Sequence, residues 1–227
     1  LGRKQGSITK RVKASYVVLD LPSVSWAPLL PALDQKSVGA CTGFAVLQCR
    51  LSAPWAWAGA VEIDALNRIA LDIYSGATKR DPWPGAWPPT DTGSNGESAL
   101  SVAVEKGIFA SYVRVNSFEE LQYALQYGPC ITGTDWPDGF FAPNSCGWVS
   151  ATGPIAGGHE WVISGIRFDT KEILGRTSWD FFGREWHGKS GFFRVKFGDY
   201  TNLLNAGGDI HCPRVANDNA TQIREAG

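Results

Sequence analysis

The hydrophobic period of this chain changes part-way along it, and that change limits the fold more than any other feature. From about 38 to 110 the apolar residues recur at helical spacing. Residues 40–51 read as a short helix with Phe44, Leu47 and Leu51 on one side. In "AVEIDALNRIALDIYSG", Ile63, Leu66, Ala70 and Ile73 recur likewise, and Gly76 is expected just past the end. The stretch "DPWPGAWPPTDTG" is too rich in breakers to be anything but loop. Ser94 and Glu97 then fit a capping box that opens a third helix, with Leu100, Ala103 and Val104 as its apolar face and Gly107 as its stop.

Beyond 116 the pattern turns to strands. One helix, "SFEELQYALQYG", opens this half with Ser117/Glu120 as a second capping box and Gly128-Pro129 as the stop. Strands are expected over Cys130–Thr134, Glu160–Phe168, Glu172–Trp179 and Gly191–Phe197. The expectation is an α+β chain with an N-terminal arm (1–20), a helical lobe (21–115), a β-rich lobe (116–210) and a loose polar tail (211–227). A cleft lies between the lobes.

At 227 residues, 44% hydrophobic and 19% charged, the chain can bury a sizeable core. Its net charge of −1 gives no support to a nucleic-acid or membrane-surface partner. A local basic run (Arg3, Lys4, Lys10, Arg11 and Lys13, with no acid) reads as a solvated arm. No signal peptide and no membrane-length apolar stretch is found, so a cytoplasmic or virion-associated location is expected. Five cysteines (41, 49, 130, 146 and 212) are too few and too irregular for a disulfide framework. They form no CxxC pair, so no metal site is expected, and no cofactor is called for.

Of the three histidines, His159 stands at the entry to the most convincing strand, directly after Gly157-Gly158. His187 and His211 read as surface residues. Cys41, at the start of the first helix, sits where free amide N–H groups stabilise an anion. A thiol there and an imidazole across the cleft would make an activated nucleophile with its own base and acid. The backbone N–H of Cys41 and the carboxamide of Gln35 can serve as donors to an oxyanion. By strand alternation Glu160 should point away from Cys41.

Three blocks carry a family resemblance. "DQKSVGACTGFA" resembles the nucleophile segment of the papain-like (C1-type) cysteine peptidases, "GGHEWVISGIRFD" their His block, and "RTSWDFFGREWHGKSGFFRV" their Asn-Ser-Trp block, in the family's order over roughly residues 20 to 205. The resemblance implies a papain-like two-lobe fold, its second lobe an antiparallel, barrel-like sheet. It implies Cys41 as nucleophile, His159 as base and acid, Gln35 in the oxyanion hole and Trp179 shielding the pair. Thr177 falls where the family has the Asn that orients the imidazole. Gly39 and Gly158 flank the pair on the substrate side. Trp136 is the best candidate for a cleft-lining aromatic; the other tryptophans read as packing.

The chain departs from the family at Val38, Thr42, Glu160 and Asp180, and above all at Thr177, whose reach is shorter than a carboxamide's. It resembles the short bacterial and phage forms, which lack a long propeptide and which add virion proteins as candidate partners. The leading expectation is a peptidase working through a Cys41 acyl-enzyme on peptide or protein substrates. The alternatives are a binding module impaired at Thr177, or a cell-wall peptide amidase.

Overall fold

The computed structural model describes residues 1–5, 17–59, 62–186 and 189–216. Its elements run in chain order as β1 (Val24–Ser25), α1 (Cys41–Arg50), α2 (Ile63–Thr78), α3 (Gly96–Glu105), β2 (Ser111–Val115), α4 (Phe118–Ala124), β3 (Cys130–Pro137), β4 (Ile155–Arg167), β5 (Glu172–Arg176), β6 (Arg184–Trp186), β7 (Lys189–Lys196), α5 (Phe197–Asn205) and β8 (Asp209–Arg214).

The strands form one antiparallel sheet in the order β2-β8-β3-β4-β5-β7-β6, with β1 added alongside β4. It is open, with β2 and β6 at its edges, where the resemblance implied a barrel-like closure. Strand alternation feeds two cores. Ile131 and Val162 join the helical core of Phe44, Leu47, Leu66 and Leu100. Their sequence neighbours Cys130, Trp161 and Ile163 enter a second core with Phe118, Phe193 and Tyr200. Helix α1 lies across β4, and its Gly43 lets α2 approach closely; a Cβ there would meet the Ala70 carbonyl at 2.2 Å.

Several local expectations shift. Ser117 does cap α4, its hydroxyl accepting from the Glu120 N–H at 3.0 Å, while the Glu120 carboxylate reaches back to the Asn116 N–H. At α3 the cap is Asn95, which accepts from Ser98 N–H; Ser94 instead bonds Asp81. Helix α2 runs through Gly76, where a missing side chain admits Val102 of α3. The tail expected to be loose begins with β8, and His211 within it is buried rather than on the surface. Helix α5 was unexpected because Gly198 and polar Asp199, Thr201 and Asn202 dilute its apolar face of Phe197, Tyr200 and Leu203. His187 and residues 217–227 lie outside the described residues.

Candidate active site

Cys41 opens α1 and is fully buried. The backbone N–H groups of Glu160 and of Gly2 point at its sulfur and favour the thiolate, yet burial outweighs them and pushes the thiol up to about 11. His159 on β4 is also fully buried, and burial holds its imidazole well below the ordinary histidine range. Burial therefore favours the uncharged form of both groups, against the anion that the helix start was expected to stabilise at Cys41. Among the described residues, His159 Nδ1 has no hydrogen-bond partner, so the pair is not bonded here.

The imidazole is held on three sides. Nε2 lies 2.7 Å from Thr177 Oγ1. Trp179 stacks on one ring face, with centroids 4.4 Å apart and planes at 8°. Trp136 meets the ring edge-on at 4.7 Å. The Thr177 hydroxyl therefore reaches, despite its shorter side chain, because β5 ends at Arg176 and delivers the next residue directly beside the ring. Trp136, anticipated as a cleft-lining aromatic, is wholly buried behind the histidine, packed on Phe140 and Phe193 as well.

Gln35 sits beneath α1. Its Nε2 donates to the Val38 carbonyl at 2.8 Å, and its Oε1 accepts from Ser178. Its backbone N–H donates to the Ser178 carbonyl at 3.0 Å. Gln48, two turns along α1, ties the same parts together: it accepts from Leu33 N–H at 3.1 Å and donates to the Thr177 carbonyl at 3.3 Å. The Gln35 loop, helix α1 and the Thr177-Ser178 segment after β5 thus form one hydrogen-bonded unit.

Solved structures share this arrangement of helices and sheet. Xylellain, a cysteine protease from Xylella fastidiosa, superposes with a TM-score of 0.62 at 15% identity, over 93% of this chain and 100% of its own. The Carica candamarcensis cysteine protease CMS1MS2, solved with E-64, gives 0.59 at 14% identity over 86% of this chain and 100% of its own. Bromelain from Ananas comosus, also solved with E64, gives 0.52 at 13% identity over 85% and 100%. The fold is papain-like. No protein-family model and no curated protein sequence matches the chain.

Within this papain-like frame, the two glycines expected on the substrate side hold the chain's own first residues. The Gly158 carbonyl accepts from Arg3 N–H at 3.2 Å, and the Gly39 carbonyl lies against Gly2, while Gly39 N–H donates to Asp91 at 2.7 Å. Glu160 does not turn away from Cys41 as alternation implied. Its N–H faces the sulfur, and its carboxyl group, buried on the helical side of β4, raises the thiol further.

Sequence reading missed Gln48, Ser178, Asp91, Asp209 and Arg3. Gln48 carried a signal, since a polar residue seven positions after Cys41 interrupts an otherwise apolar helix. Arg3 carried a misleading one, because its basic neighbours suggested a solvated arm. No helix among the described residues is long and apolar enough to cross a membrane, and none of their His, Cys, Asp and Glu side chains cluster as a metal site.

Proposed function

We propose that the chain is a thiol hydrolase that cleaves peptide bonds through an acyl-enzyme on Cys41. The observation that carries this reading is the His159 imidazole: buried, stacked under Trp179, fixed through Nε2 by Thr177, and left with Nδ1 unpartnered beside the strand residue whose N–H faces the Cys41 sulfur. The papain-like fold supports it.

With Nε2–H donating to Thr177 Oγ1, Nδ1 carries the lone pair and acts as base. It takes the proton of the Cys41 thiol as sulfur attacks the scissile carbonyl carbon. The carbonyl oxygen gains the electron pair of the broken π bond, and the Cys41 N–H and a Gln35 Nε2 hydrogen stabilise it. Collapse expels the amine, which takes the proton from Nδ1–H; water, deprotonated by the same nitrogen, then releases the acid and restores the thiol. Thr177 keeps the ring in the tautomer that this sequence of transfers requires.

Treatment with an epoxide-type thiol-protease inhibitor, followed by adduct mapping, tests the reading. Labelling is expected at Cys41 alone among the five thiols, at a rate that climbs steeply from neutral pH toward the thiol value of about 11. Comparable slow labelling of several cysteines would overturn it. Thr177→Val removes the acceptor for a buried N–H. Such a loss costs about 1–3 kcal/mol, so a fall in kcat of about ten- to hundredfold with little change in KM is expected.

A further inference from the structure

Two cysteines far apart in the chain meet inside the β-rich core. Strand β8 pairs with β3 in a register that sets Ile131 opposite His211 and Thr132 opposite Ile210. One step further along the same antiparallel register, Cys130 stands opposite Cys212. Both are completely buried in the core that holds Trp161, Phe193 and Tyr200, and their thiols are hydrogen-bonded to each other.

The kind of pair they form follows from Pro213. In an antiparallel ladder, opposite residues alternate between pairs that exchange N–H···O bonds and closer pairs that do not. Pro213 pairs with Tyr112 of β2 but has no N–H to donate, so it takes a non-bonded position of the β2–β8 ladder. Its neighbour Cys212, opposite Val113, therefore bonds to β2 and turns its N–H and C=O away from β3. Seen from β3, Cys130–Cys212 is a non-bonded pair, whose Cα atoms lie about 4.5 Å apart with the side chains brought together. That separation falls inside the range of about 4.4–6.8 Å that a disulfide spans.

Two further features single out this pair. Arg214 Nη1 lies 3.0 Å from Cys212 Sγ, where its charge stabilises the sulfur as an anion. Cys49 is also close by, but it belongs to the helical core on the other side of the sheet, and its thiol donates to the Pro129 carbonyl at 3.5 Å.

We propose that Cys130 and Cys212 are a disulfide site: given a low-molecular-weight disulfide such as oxidised glutathione, the native fold selects this pair and staples β8 to β3. The bond forms by two exchanges. Cys130 sulfur attacks one sulfur of glutathione disulfide and releases a glutathione thiolate; Cys212 sulfur then attacks Cys130 of the mixed disulfide and releases the second. Two S–H bonds are lost, one protein S–S bond is gained, and both protons leave with the glutathione thiols. Because the two sulfurs are buried, the exchanges take place during folding or when β8 opens. The bond closes a ring of about 80 residues that contains His159, Thr177 and Trp179. Nothing in it depends on the peptidase reading.

The test unfolds the unaltered chain in reductant and refolds it twice, once with reduced and oxidised glutathione and once with reduced glutathione alone. Remaining thiols are alkylated and disulfide-linked peptides are mapped. Refolding with the oxidised form present is expected to yield one intramolecular bond, Cys130–Cys212, and a Tm about 5–10 °C above that of the reduced chain. Cys212→Ser and Cys130→Ala, either sufficing where the other misfolds, are each expected to abolish both the bond and the difference in Tm.

A chain that refolds beside oxidised glutathione with both thiols still alkylated overturns the proposal. So does a bond from Cys49 to either partner, or a bonded form no more stable than the reduced one. A Tm difference that survives in Cys212→Ser or Cys130→Ala overturns it as well, since another bond would then be its source.

Discussion

A His159→Ala chain loses hydrolysis of any peptide that the unaltered chain cleaves by about 10⁴–10⁶-fold, the scale seen when a nucleophile is deprived of its base. The loss falls on kcat, because nothing else at the site can accept the thiol proton. The carboxyl group that acts on the sulfur is that of Glu160, which lies against Gly96 and Gly133, while Asp91 is engaged by Gly39 N–H and the Tyr74 hydroxyl. The same change removes a ring that Trp179 and Trp136 clasp, so the variant also unfolds at a lower temperature. The two effects separate in a single assay: stability is read by thermal melting, and the chemical step by single-turnover kinetics below the variant's melting range. Activity within about tenfold of the parent would mean that another group serves as base, and the assignment of His159 would fall.

The second large effect is on stability. Trp136→Ala is expected to cost about 3–5 kcal/mol, measured by urea denaturation. The indole is completely buried and touches Phe140, Phe193, Phe182, Trp179 and His159. Its removal opens a cavity directly behind the imidazole, so kcat falls along with stability. A tryptophan that merely lined the cleft would behave otherwise, changing KM while stability moved by no more than about 0.5 kcal/mol. The pattern of losses therefore reports which side of the histidine this ring occupies.

How much of this was legible in the chain depended on whether the signal was local. The start of α1 was readable because glycine punctuation and apolar spacing act over a few residues, and it brought Cys41 to notice. The strand carrying His159 was also found, but β4 begins at Ile155, ahead of the expected Glu160, so His159 lies within the strand rather than at its entry. The Thr177 contact was readable only as a doubt. Whether a short hydroxyl reaches a ring depends on where β5 ends, which the residues around 177 do not reveal. Asp209 and Arg3 were not readable at all. They are separated by 206 positions and meet only because β8 pairs with β3. Strand β8 itself was hidden, since its inward residues include Asp209 and His211, whose polarity imitates a surface segment until their buried partners are known. Trp136 misled for a related reason: its neighbours Pro137, Asp138 and Gly139 have the composition of an exposed turn, yet the indole folds back under the sheet.

Glu160 contributes to the site twice, through different parts of the same residue. Its peptide N–H faces the Cys41 sulfur, and its carboxyl group lies between Gly96 and Gly133, beside the Arg3 side chain. The peptide N–H is common to every amino acid except proline, so its contact with sulfur survives almost any replacement at this position, whereas the charge and volume beside Arg3 change with each one. The peptide contact, which favours the thiolate, thus outlasts a change of side chain, while the upward push of the carboxyl group on the Cys41 thiol is lost with it.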